Sequence, residues 1–198
     1  MRLKAPQRRA QLLTVATRLF ADFGYARTTT ASLAKAAGVT EPILYRHFPS
    51  KKALFDAVLD DVNARLTAGW RAPALSGSPA AAQLDEIMES FPKRIGEMRQ
   101  ELSVVHRALA ETRLGAGVRG KLRAHYGEYL SFLAGVLGRG QKEGSVRTDL
   151  DATEIAWLVV SLGLSVSLLG PLGLAPGGEQ ALAERLRRLC GALTAGRR

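Results

Sequence analysis

The sequence predicts an all-α chain, and three observations carry that prediction. Apolar residues recur at spacings of three and four nearly throughout its 198 residues, the period at which helical side chains share a face. Alternating apolar and polar runs, the mark of a half-buried strand, are almost absent. Glycine, proline and serine gather at a few joints, chiefly RAPALSGSP at 71–79, where strands would need them at short, even intervals.

In the first element Leu12, Leu13, Ala16, Leu19, Phe20 and Phe23 form one stripe, and Gly24 follows where a C-terminal cap belongs. That spacing predicts a helix over about Pro6 to Phe23. Thr28, Thr29 and Thr30 offer caps for a second helix, Ala31 to Ala37, which Gly38 ends with a change of direction. Thr40 then caps a short third helix whose first turn holds Glu41 and Pro42. After Pro49 and Ser50 a fourth helix runs from Lys51 to about Trp70, with Leu54, Phe55, Val58, Leu59, Val62 and Leu66 on one face. Beyond the 71–79 break, helices are expected at about Ala80 to Met98 with a kink at Pro92, Glu101 to Glu111, Val118 to Lys142, Ala152 to Leu169, and Glu179 to Leu193.

Charge is distributed unevenly. Residues 1–52 carry ten Lys or Arg against Asp22 and Glu41, a net +8 out of +10 for the whole chain. A basic end on a near-neutral body suits a polyanion, because phosphate affinity comes largely from counterions displaced by Lys and Arg. Cys190 is the only cysteine, so an intrachain disulfide is excluded. His47, His106 and His125 are too widely separated to suggest metal ligation, and neither a metal nor a cofactor is expected. With no basic-then-apolar leader at Met1, a cytoplasmic location is expected.

Two short helices joined by a glycine turn make a helix-turn-helix. Small Ala34 lets them approach, and Leu33, Ala37, Val39 and Leu44 fall inward to hold their crossing angle. The other side of the third helix keeps Glu41, Pro42, Tyr45 and Arg46 outside, as a helix in the major groove requires. Phe48 turns inward. Tyr45, His47 and Lys51 bring a hydroxyl, an imidazole N–H and an ammonium to the phosphates on either side. Taken singly, Tyr45 and Phe48 fit a core and Thr29 a cap; the ordered set fits DNA.

Residues 24–55, GYARTTTASLAKAAGVTEPILYRHFPSKKALF, resemble the signature of the TetR family of bacterial transcriptional repressors almost position for position. The resemblance implies an N-terminal three-helix DNA-binding domain, here 1–52, joined by a connecting helix to a helical ligand-binding and dimerisation domain, here 53–198. It places phosphate contacts on Thr29, Thr30, Tyr45, His47 and Lys51, and base contacts on Thr40, Glu41, Pro42 and Arg46. Ala31 and Ser32 are too short for the base contacts some relatives make from the second helix. Glu41 stands where Lys or Gln is commoner. Glu41 suits a cytosine amine, and Arg46 suits guanine.

Ile155 to Leu174 is twenty residues without a charge, long enough to span a membrane. Gly170 and Pro171 interrupt it, however, and Asp151 with Glu154 forms a capping box at its start. A buried helix is the reading we adopt, with one face covered by a second copy of the chain. Leu182, Leu186 and Leu189 of the last helix are expected to join it; in the TetR family the last two long helices of each subunit form a four-helix dimer interface. Candidate liners of an inducer pocket are Met88, Phe91, Met98, His106, Tyr126, Phe132 and Trp157. Each also fits plain core.

The function expected is therefore a homodimeric repressor that binds a palindromic double-stranded operator and is released by a small-molecule inducer. The alternative is a constitutive or architectural DNA-binding dimer without an inducer. Ser161, Ser165 and Ser167 have no paired base, and no carboxylate pair or phosphate loop stands out, so no catalytic residue is assigned and an enzyme is not expected.

Overall fold

A computed structural model describes residues 4–74, 77–111, 115–169, 172–173 and 178–195. The fold is all-α: α1 (Ala5–Arg27), α2 (Thr30–Ala37), α3 (Glu41–His47), α4 (Lys51–Ala74), α5 (Ala80–Glu97), α6 (Arg99–Ala110), α7 (Gly115–Lys142), α8 (Ala152–Leu169) and α9 (Gly178–Thr194). Among the described residues the one strand-like feature is an isolated antiparallel bridge between Val146 and Ala195. Helix α4 extends one turn past the expected Trp70, and α5 continues through Pro92. The interruption expected at Gly170 and Pro171, and the side chains of Trp70, Leu182 and Leu186, lie outside the described residues.

Two compact units divide the chain. The first contains α1 to α3, α4 as far as Ala64, α6, and α7 as far as Leu122; the second contains the rest of α4 and α7 with α5, α8 and α9. In the first unit α6 packs along α1, and α2 bridges α1 and α3. Its core is built from Leu12, Ala16, Phe20, Leu33, Leu44, Leu54, Phe55 and Val58, all buried. Phe20 meets the edge of Phe55 at 4.9 Å, and Tyr25 lies 4.9 Å from the same ring. Such pairs contribute roughly 0.5–1.5 kcal/mol beyond burial itself. Lys121 at the start of α7 reaches Asp60 of α4 at 2.6 Å.

Helix α1 bends at Gly24, whose backbone (φ 77°, ψ 169°) leaves the helical region where the sequence predicts a stop. The following Thr28 is buried, and its hydroxyl donates to the carbonyls of Gly24 (2.8 Å) and Leu19 (3.2 Å). This ties the turn before α2 to the end of α1.

In the second unit Leu84, Ile87, Leu133, Val136, Leu137, Ile155 and Val159 form the core, with Cys190 from α9. Burial pushes the Cys190 thiol up to about 11. The Phe91 ring packs so closely on Gly163 of α8 that a β-carbon there would lie 2.7 Å from it. Glu143 caps α5 by accepting from the Ala80 amide at 2.9 Å, and Gln141 donates to the carbonyls of Arg147 and Leu150, holding the connection to α8. The expected capping box at the start of α8 is present: Thr153 N–H donates to Asp151 Oδ1 at 2.7 Å, and Asp151 N–H to Glu154 Oε2 at 3.3 Å.

Candidate nucleic-acid interface

The turn between α2 and α3 is fixed at both ends by short-range bonds. Thr29 and Ser32 cap α2 reciprocally, each backbone N–H donating to the other's hydroxyl at 3.1 Å. Two free amides are thereby satisfied. At the other end Gly38 is left-handed (φ 66°), and Val39 N–H reaches back to Ala34 O at 3.0 Å. Left-handed backbone suits glycine, which has no β-carbon to clash.

Thr40 occupies the N-cap position of α3, but its side chain makes no capping hydrogen bond. The reason lies in the next residues. Pro42 has no N–H to offer, and the Ile43 amide already donates to the Thr40 carbonyl at 3.0 Å. The hydroxyl of Thr40 is exposed and is not spent on the helix.

Helix α3 is anchored from one side only. Leu44 is fully buried, and Phe48 just beyond it is buried beneath the Arg9 guanidinium, 4.9 Å from the ring centroid. With those two residues inward, Pro42, Ile43, Tyr45 and Arg46 are exposed, while Glu41 and His47 at the ends are half-buried. Tyr45 keeps 45% of its surface and Ile43 37%. The sequence reading missed Ile43. Its signal was present: it is an apolar residue off the inward line of Leu44, a position suited to a thymine methyl.

Lys51, at the first position of α4, has a second task. Its ammonium donates to the carbonyls of Tyr25 and Thr28, both at 3.0 Å, and lies 4.3 Å from the centroid of the Tyr25 ring. It closes the α1–α2 turn against the start of α4. Tyr25 itself has its phenol pKa raised, chiefly by burial. Thr29 and Thr30 lie at the start of α2, Thr29 exposed and Thr30 half-buried. The residues assigned to phosphates thus belong to the first turns of α2 and α4 and to α3, and those assigned to bases all lie on α3 and its cap.

The candidate inducer liners fall in both units. Met98 is buried and His106 half-buried in the first unit, where burial lowers the His106 pKa. Met88, Phe91, Tyr126 and Phe132 are half-buried in the second unit. Burial pushes the Tyr126 phenol up to about 12, and that of Tyr129, whose ring meets Tyr126 edge-on at 5.7 Å, also upward. Trp157 is 58% exposed on α8 and lines a shallow apolar hollow of roughly 430 Å³ with Leu150, Leu158 and Ser161.

A family described as bacterial regulatory proteins, tetR family, matches residues 12–58, from within α1 to the first third of α4. The nucleoid occlusion factor SlmA of Marinobacter nauticus is 30% identical over 185 residues, covering 79% of this chain and 95% of that protein. The HTH-type transcriptional repressor KstR2 of Rhodococcus jostii is 29% identical over 161 residues, covering 77% of this chain and 78% of the relative. A TetR-like transcriptional regulator from Rhodococcus sp. RHA1 has the same fold, with a TM-score of 0.77 over 96% of each chain at 24% identity.

Proposed function

This chain belongs to the TetR family of bacterial transcriptional regulators, and from that premise we propose that it is a homodimeric repressor whose two α3 helices read a palindromic operator. The observation that carries the reading is the one-sided anchoring of α3, with Leu44 and Phe48 buried and Pro42, Ile43, Tyr45 and Arg46 exposed. In this proposal Thr40, Glu41, Pro42 and Arg46 face base edges, and Thr29, Thr30, Tyr45, His47 and Lys51 hold the flanking phosphates. Residues 1–52 form the reading domain, and 53–198 hold the inducer and the dimer contact. The protein acts in the cytoplasm, where its operator is.

Dimerisation is supported by α8, which is long and apolar enough to cross a membrane yet has only 22% of its residues buried within one chain. A second copy covers that face without leaving backbone or serine hydroxyls unsatisfied, since Ser165 and Ser167 donate to carbonyls of their own helix at 3.0 and 3.1 Å. Inducer release is the finer part of the proposal. A second reading is a DNA-binding dimer whose second unit serves assembly alone; the 30% identity to a protein named a nucleoid occlusion factor, not a repressor, keeps it in view.

Selection of bound duplexes from a random pool tests the first part. Arg46→Ala is expected to relax preference at one position per half-site, costing about 1–3 kcal/mol of discrimination, whereas Tyr45→Phe should weaken all sequences alike. A uniform loss on Arg46→Ala would make it a phosphate contact. A metabolite screen for release of the selected duplex then separates the two readings.

A further inference from the structure

Helix α5 carries one charge on the wrong side. Leu84, Ile87 and Phe91 follow at intervals of three and four on its inward line, and Arg94 is the next residue on it. The outward face already holds the exposed Asp85, Glu86, Glu89, Lys93 and Glu97. Lys93 pairs with Glu97 there at 3.9 Å. The Arg94 guanidinium instead lies over Gly69 of α4, in the place a β-carbon at that residue would take. Its Nε is buried and has no hydrogen-bond partner among the described residues, and no described carboxylate pairs with the group. Arg94 as a whole is half-buried, so what the fold leaves unexplained is this one N–H, taken from water with no acceptor in return.

We propose that Arg94 anchors the effector of this regulator, and that the effector is a small monocarboxylate with an apolar body. This rests on the ligand-responsive reading above. One planar guanidinium matches one carboxylate bidentately. With no second cation on that face of α5, a doubly charged phosphate is poorly compensated. Phe91, one turn back and half-buried, supplies apolar surface for the body of the ligand. The position also bears on control: α4 is one continuous helix from Lys51, beside the reading helix, to Ala74, and Gly69 lies in its last third. An anion that draws the guanidinium off Gly69 changes what that part of α4 packs against.

Thermal unfolding of the full-length protein tests this with matched probes at millimolar concentration: octanoate against octanamide, and phenylacetate against phenylacetamide. At least one acid should raise the wild-type midpoint by roughly 5–10 °C when well above its Kd, with its amide ineffective. Arg94→Met should abolish that difference and, without any ligand, unfold about 2–4 °C higher than wild type because a buried N–H without an acceptor is gone. Gly69→Ala gives an independent check. It adds a methyl where the guanidinium rests and favours the helix, yet should weaken the acid at least about tenfold. The proposal is overturned if acids and amides act alike, if no acid acts, if Arg94→Met retains the response, or if that variant is less stable than wild type. An effector that releases DNA equally from wild type and Arg94→Met removes Arg94 while leaving the regulator intact.

Discussion

Lys51 and Tyr25 are joined twice: the ammonium of Lys51 donates to the Tyr25 carbonyl at 3.0 Å and stands 4.3 Å from the centre of its ring. With the further bond to Thr28, this makes Lys51 a clamp between α4 and the turn before α2 as well as a proposed phosphate contact. Lys51→Met should therefore lower stability by about 1–2 kcal/mol, the half-exposed site reducing the full value of charge-assisted bonds, and the midpoint by roughly 2–8 °C. If its third N–H also meets a phosphate, the salt dependence of DNA binding should fall by about one unit per subunit. Lost stability with an unchanged slope would leave only the clamp; the reverse would leave only the phosphate.

The turn before α3 depends on Gly38. A β-carbon added there meets nothing within 4 Å, so a substitution costs backbone strain alone. Gly38→Ala should destabilise by about 1–2 kcal/mol, and Gly38→Asn by less, because asparagine tolerates left-handed backbone. Denaturant titration decides the matter, and equal stability of the alanine variant and wild type would mean that the turn has another conformation.

Alkali should reveal the buried phenols. Tyr126 is pushed up to about 12 and Tyr129 and Tyr25 are also raised, burial being the main cause for each. A raised phenol pKa means that the fold favours the neutral form. Its contribution is complete below the unfolded value near 10 and is lost as pH climbs toward the folded value. Stability should accordingly fall between about pH 10 and 12. Absorbance at 295 nm should show late-titrating tyrosines, one fewer in Tyr126→Phe. Tyr126→Phe that leaves the late phase unaltered would place that ring in water.

The fold was largely legible because its signals are local. Gly24 bends α1 and Gly38 ends α2, both at positive φ, and Asp151 with Glu154 caps α8 as its spacing predicts. The inward set of Leu33, Ala37, Leu44 and Phe48 was readable for the same reason. Thr40 was harder, because whether a threonine caps with its hydroxyl depends on which amides remain, and Pro42 removes one. The sequence offers Lys51 as a phosphate contact and gives no sign of its bonds to Tyr25 and Thr28, because both are distant in sequence. Arg94 escaped notice because a charge on an inward line differs from an outward one by a single position. Residue type alone nominates the seven candidate inducer liners, and type carries no information on which side chains share a pocket.

Trp157 and Leu168 are eleven residues apart on α8, three full turns, so they stand on one line of the helix about 16 Å apart. They are 58% and 50% exposed in the single chain. Leu158 and Leu169 repeat the interval on the adjacent line and are likewise exposed. An apolar strip of this length is what a symmetric partner would cover, each copy presenting the same patch. Trp157→Glu combined with Leu168→Glu should yield monomers in sedimentation equilibrium, with helix content retained because neither side chain belongs to the chain's own core. Specific operator affinity should then fall by orders of magnitude, since one α3 supplies half of the contacts, while weak salt-sensitive binding through the basic first unit persists. A double variant that stays dimeric would move the interface elsewhere. Wild-type protein that sediments as a monomer at micromolar concentration would remove the dimer, and with it the palindromic operator.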